Sequence, residues 1–225
     1  MAGSAYGRAA LPNDKTLDPK PFDQTQDIIE IEHRHRLFGR EGKLKLLAFL
    51  TEARLGSYDD AVALALAAGG PPDTALVRKM RDKAGAGLTL EQPLSEEAGI
   101  FLRAGLTQGN DEVYEFTEID RTLSFGASLG GSAWDRPQDR VGSALAMNGP
   151  SEAAMRYFQA GGLGILVGDG RLPDSAGEMI WESYYSFSVI GGLALSADYQ
   201  LVDHPAYNRD RGPVSVVAAR AHLQF

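Results

Sequence analysis

Twelve residues could do chemistry as a group: Arg34, Arg36, Lys45, Arg103, Glu118, Asp120, Glu182, Tyr184, Asp198, Gln200, Arg220 and His222. Each stands in a stretch where polar residues recur at every second position. Guanidinium, ammonium, carboxylate, amide, imidazole and phenol groups spaced this way supply hydrogen-bond donors and acceptors along a wall. That is reversible binding chemistry, with the planar guanidinium fork the group best matched to adjacent hydroxyls. Covalent chemistry finds little support. There are no cysteines, so disulfides, thiolate metal sites and cysteine nucleophiles are excluded. His33, His35, His204 and His222 do not fall at a metal spacing with carboxylates. The glycines at 161, 162, 164, 168 and 170 lack the following Lys-Ser/Thr of a phosphate loop. Asp169, between two of them, reads as a turn residue, and Tyr207–Pro213 reads as a loop whose charges order one another. No catalytic residue, cofactor or metal is expected.

The elements that must position these groups are strands. From Val217 the odd positions are Val217, Ala219, Ala221, Leu223 and Phe225, and the even ones Ala218, Arg220, His222 and Gln224. One face is apolar and the other polar. Leu193, Leu195, Ala197, Tyr199 and Leu201 alternate in the same way with Ala194, Ser196, Asp198, Gln200 and Val202. Near the front, Ile29 and Ile31 alternate with Glu30, Glu32, Arg34 and Arg36, which puts His33 and His35 on the apolar face. Arg121 is the one misfit in the stretch from Asp120 to Leu129. The pattern predicts nine strands, at 26–37, 43–54, 86–93, 97–107, 117–130, 139–148, 178–190, 192–202 and 213–225. Helical spacing appears in two connections. Tyr58–Ala68 continues into Asp73–Lys83, and Ser151–Ala160 opens on a Ser N-cap. Residues 1–24 read as a leader segment, poorly ordered or the remnant of preceding barrel sequence, and 25–225 as the C-terminal part of a β-barrel.

Composition narrows the class. The chain has 225 residues, 44% of them hydrophobic, with 26 Gly and a net charge of -8. That acidity argues against a nucleic-acid partner. No run approaches the ~20 apolar residues of a spanning helix. Residues 1–20 also lack the apolar core of a signal peptide. The connections, however, alternate in length. Those at 38–42, 93–96, 131–138 and 190–191 are short or compact, whereas those at 56–85, 108–116, 149–177 and 203–212 are longer. Short turns at one end and long loops at the other are the layout of a transmembrane β-barrel. Closure of such a sheet removes its edges and satisfies every backbone group in lipid.

Several stretches carry a resemblance: FLRAGLTQG (Phe101–Gly109), FTEIDRTLSFG (Phe116–Gly126), WDRPQDRVGSAL (Trp134–Leu145), YFQAGGLGILVGDGRL (Tyr157–Leu172), ESYYSF (Glu182–Phe187), ADYQLVDHPAYNRDRGPV (Ala197–Val214) and the terminal RAHLQF. Lys43–Phe49 with RLGSYDDA (Arg54–Ala61) also fits. Over roughly residues 25–225 the chain resembles the OprB-type carbohydrate-selective porins of Gram-negative outer membranes. The resemblance implies an all-β, antiparallel transmembrane barrel of about 16 strands around an aqueous channel, with short helices in its long loops. It also implies passive diffusion of sugars, outer-membrane lipid as the surroundings, and an outer-membrane location. The twelve residues named first would then line the pore. Phe225 would be the terminal aromatic that the barrel-assembly machinery reads. Nine strands are an odd count, and with the missing signal peptide they suggest the C-terminal part of a longer barrel. Monomer and trimer stay open, and a soluble β-rich binding module and a barrel exporter or enzyme are the alternative functions.

Overall fold

The computed structural model describes residues 2–6, 23–113, 118–164, 167, 172 and 174–224. Phe225 and Asp169 lie outside the described residues. The chain forms one antiparallel sheet of ten strands, each paired with its neighbours in sequence. They are β1 (Ala2–Tyr6), β2 (Thr25–Leu37), β3 (Arg40–Leu55), β4 (Lys79–Pro93), β5 (Ala98–Thr107), β6 (Arg121–Gly130), β7 (Arg140–Gly149), β8 (Glu178–Ile190), β9 (Leu193–Asp203) and β10 (Val214–Leu223). The nine strands expected from alternation are present. The tenth is β1, which pairs with β2 from inside the segment read as a leader. Strands β1 and β10 are the two edges of the sheet, and they run in opposite directions.

Two expectations need correction. The helical reading of Asp73–Lys83 fails beyond a single 3-10 turn at Thr74–Val77, because Lys79–Lys83 already belongs to β4. Its charges serve both faces of a strand end. Arg81 and Lys83 turn to buried acids, while Met80 and Asp82 turn the other way. The strand expected at 117–130 begins at Arg121. Glu118 and Asp120 precede it and are 2% and 5% exposed. Asp120 still continues the ladder with its backbone, donating to the Gly149 carbonyl and accepting from the Thr107 N–H. The misfit Arg121 stands at the very start of β6, opposite Gly149.

The long connections after β3, β5, β7 and β9 gather at one end of the sheet, where their described residues make the buried core. Helix α1 (Tyr58–Ala68) starts at Ser57, whose hydroxyl accepts from the Asp60 N–H, and carries Asp59 and Asp60 in its first turn. Helix α2 (Glu152–Gln159) starts at Ser151, whose hydroxyl accepts from the Ala154 N–H. Each cap satisfies a backbone donor that the first helical turn leaves free. The two helices pack through Tyr58, Ala61, Ala153, Ala154, Tyr157 and Phe158, joined by Val167, Leu172 and Tyr207. Arg156 on α2 grips Asp59 on α1 with both carboxylate oxygens within 3.1 Å. Among the described residues no second layer packs on the sheet. Its large apolar side chains, such as Ile31, Leu106 and Trp181, stay exposed on one face.

Candidate functional site

Register assigns the faces. Arg34 lies opposite Lys43 and Arg36 opposite Glu41 across β2–β3. Lys45 lies opposite Thr89, Thr89 opposite Arg103, and Arg103 opposite Ser124. Farther along, Glu182 lies opposite Gln200 and Tyr184 opposite Asp198, while Ser196 and Ala194 face Arg220 and His222. Residues opposite one another share a face. The ten of the twelve candidates that lie in strands therefore share one face, whose rows connect from β2 to β10. Asp120 shares it by parity but lies under the loop helices. Glu118 lies in the connection. Buried as they are, neither presents an open polar wall. His33 and His35 fall on the apolar face, with rings stacked 6.1 Å apart and His35 within 2.9 Å of Gln92.

Burial of Asp120 follows from its partners. Lys83, 6% exposed, donates to the Asp111 carbonyl at 2.9 Å and lies 3.4 Å from the Asp120 carboxylate. The other Asp120 oxygen accepts from the Ser151 N–H at 2.8 Å, at the start of α2. A carboxylate at a helix N-terminus meets free N–H groups and the positive end of the helix dipole. Glu112 plays a similar part for the neighbouring loop. It accepts from Arg78, from the Thr74 hydroxyl and from the Gly56 N–H, all within 3.0 Å. Asp111, 3.3 Å from Arg81, has its carboxyl pushed up by burial. The loop helices are thus bolted to β4 by ionic contacts, Arg81 to Asp60 and Asp111 and Lys83 to Asp120.

On the open part of the polar face the charges divide. In β2 and β3 Arg34 pairs with Glu32 at 2.8 Å and Glu41 at 3.1 Å, and Lys45 with Glu30 at 3.4 Å and Glu32 at 3.5 Å, while Arg36 and Lys43 have no ion-pair partner among the described residues. Arg103 differs. Among the described residues no carboxylate lies within ion-pair distance of it, and its guanidinium sits 5.2 Å from the centre of the Phe101 ring. Among the described residues Arg140 donates only to the Ser128 hydroxyl, at 3.3 Å. Glu182 accepts from the Gln200 amide at 2.9 Å. Phe101, Ser128 and Arg140 were not among the candidates. Parity with Arg103 could have found Phe101. Ser128 stands in Gly126–Gly130 at the spacing of a nucleophile elbow, but that stretch lies inside β6 and lacks the strand-to-helix turn that exposes a nucleophile.

The family of carbohydrate-selective porins, OprB family, matches residues 8–225. The chain belongs to that family. Membership places it in the outer membrane, and the fold is that of a transport channel. A solved structure, the high-pH form of OprB from Pseudomonas putida, is similar with a TM-score of 0.68 and 16% sequence identity. The similarity covers 93% of this chain and 50% of that one, so this porin-family chain spans half the length of its structural relative. At that identity the likeness speaks for the fold alone. None of the curated proteins matches the chain.

Proposed function

We propose that the chain is the wall of a channel for passive, selective diffusion of sugars across the outer membrane. Its polar face lines the lumen and its apolar face meets lipid. The observation that carries this reading is the continuous polar face from β2 to β10, mixed in charge and backed by an apolar one. Such a wall offers donors and acceptors to neutral hydroxyl-rich solutes without a single-sign field that would select ions. The exposed apolar side chains then face a solvent that accepts them. The unpaired edges at β1 and β10 favour a part-barrel whose remaining strands complete about 16. The opposite directions of β1 and β10 suit antiparallel closure. The C-terminal strand β10, with Phe225 following it in the sequence, is the piece offered to the barrel-assembly machinery.

Single cysteines test the placement. At Leu66 in α1 and Leu163 after α2, both exposed at the long-connection end, they should react with a membrane-impermeant thiol reagent in intact cells. At Phe38, in a short turn, a cysteine should react only after lysis. Labelling at Phe38 alone would invert the orientation, and protein recovered in the soluble fraction would reject the membrane reading. Proteoliposomes holding the chain together with the strands that complete the barrel should release trapped glucose, and a rate equal to that of empty vesicles rejects sugar diffusion.

A further inference from the structure

Strands β5 to β8 carry a cleft of about 450 Å³ on the polar face, lined in part by Phe101, Arg103, Ser128, Arg140, Glu182 and Tyr184. That size lies within the range of about 300–1,000 Å³ typical of small-molecule sites. Two aromatic rings form its floor. A Cβ added at Gly126 would stand 2.6 Å from Cε1 of Phe101, so the ring occupies the space of a side chain there. Tyr184 does the same at Gly142, with Cε1 at 2.5 Å. Phe101 starts from β5 and Tyr184 from β8, and their rings reach over the two strands between them. The glycines let both rings lie against the backbone. Gly142 stands directly opposite Ser128, whose hydroxyl Arg140 holds. Over Phe101 sits the Arg103 guanidinium, kept in place by the attraction of a cation to a ring face.

We propose that this cleft is a subsite selective for the pyranose ring. A neutral hexopyranose lays the C–H face of its ring on Tyr184 and turns its hydroxyls to Arg103, Arg140 and Glu182. Phe101 acts as a positioning residue that fixes the Arg103 fork. This rests on the sugar-channel reading and narrows it. A polar wall alone accepts any hydroxyl-rich solute, whereas a flat apolar floor separates a closed ring from an open chain. Ring C–H groups carry partial positive charge from their neighbouring oxygens and meet the negative face of the aromatic ring. Four carboxylates, Glu91, Glu96, Glu97 and Glu182, line the cleft against two guanidiniums, so an anionic sugar is disfavoured.

Saturation-transfer NMR on the detergent-solubilised full chain, with glucose and sorbitol at equal concentration, tests this. Saturation should pass to the glucose ring protons and not to sorbitol. Gly142→Ala, whose new methyl meets only Tyr184, should abolish the glucose signal, and Tyr184→Phe should keep it. Tyr184→Leu, which keeps bulk over Gly142 without a π face, carries the test should the glycine variant fail to fold. Phe101→Leu should weaken the signal. Equal saturation of the two solutes by the unaltered chain overturns the subsite, as does an undiminished glucose signal in Tyr184→Leu. Glucose release from vesicles without ring discrimination overturns the subsite and leaves the channel standing. Ring discrimination without release does the reverse.

Discussion

The polar face holds two kinds of charge. Toward β2–β4 several charged groups are answered by the protein, Lys83 by Asp120, Arg34 by Glu32 and Glu41, and Lys45 by Glu30 and Glu32, while Arg36 and Lys43 have no ion-pair partner among the described residues. Toward β5–β8 Arg103 rests on an aromatic ring and Arg140 on a single hydroxyl. The same residue types, on the same face and at the same spacing, therefore do different work. A cation already paired is a strut, because a solute must break the pair before it can bind. A cation on a ring keeps its donors free. Alternation shows which face a residue takes. It does not show whether a partner is already there.

The largest effect should come from the buried strut. Replacing Lys83 by Met leaves the Asp120 carboxylate buried beside the start of α2 with its cation gone. Breaking a buried pair from one side costs about 3–5 kcal/mol. The loops over β3 and β4 should then be cut by protease at concentrations that spare the unaltered protein, and the urea midpoint should fall. An unchanged cleavage rate would put Lys83 outside the fastening of the loop helices and break the division between the two regions.

Arg103→Ala probes the other region. Register puts Arg103 opposite Thr89 and Ser124 on the polar face, so its loss removes no lipid contact. Barrel stability should change little, and block of ion current by glucose should weaken in single-channel recordings. A more stable variant would contradict the face, since an Arg held in lipid costs about 2–4 kcal/mol at the midplane. Unchanged block would remove Arg103 from the solute's path.

Much of this was legible in the sequence, and the failures have physical causes. Nine strands were legible because a sheet with lipid on one side and water on the other must alternate. The rule stops where the lipid stops. Lys79–Lys83 lies at the strand end beside the loops, so Lys, Met, Arg, Asp, Lys looks like a charged helix face although it is a strand. Asp120 keeps the parity of β6 but answers to Lys83 and the start of α2, and the Glu118 carbonyl accepts from the Tyr207 hydroxyl, groups far away in sequence. Strand β1 is five residues long, too short for its alternation to stand out. The floor of the cleft was hidden for another reason. A glycine reads as a gap in a strand, and only the fold shows which ring fills it. Phe101 over Gly126 and Tyr184 over Gly142 pair residues 25 and 42 positions apart.

A smaller effect belongs to the turn that closes β6 onto β7. Asp139 is held by the Arg136 guanidinium, by the Tyr185 hydroxyl at 2.5 Å and by the Ser188 N–H at 3.0 Å. These contacts, Arg136 first, hold its carboxyl down at about 2. A carboxyl whose pKa is lower in the folded chain stabilises it above the ordinary value of about 3.9, and that stability is lost as pH falls toward the folded value. The urea midpoint should therefore hold steady from neutral pH to about 4 and drop between about 4 and 2. In Asp139→Asn that drop should shrink. A drop of equal size in the variant would assign the acid sensitivity to other carboxylates and detach this turn from the paired class.

The smallest effect is the sharpest test of the comparison. Arg34 carries the same guanidinium as Arg103 on the same face, but Glu32 and Glu41 hold it while it stays more than half exposed. Exposed ion pairs contribute about 0–1 kcal/mol. Arg34→Ala should thus shift the urea midpoint by little, and glucose block should equal that of the unaltered channel. Salt adds a second reading. A pair at the surface is screened by added salt, so any stability difference between Arg34→Ala and the parent should narrow as salt rises, while Lys83→Met should keep its deficit. If Arg34→Ala weakens glucose block as much as Arg103→Ala does, pairing does not separate struts from binding groups. The solute then reads the whole polar face by its donors alone, and the ring floor between β5 and β8 loses its claim to be the place where selection happens.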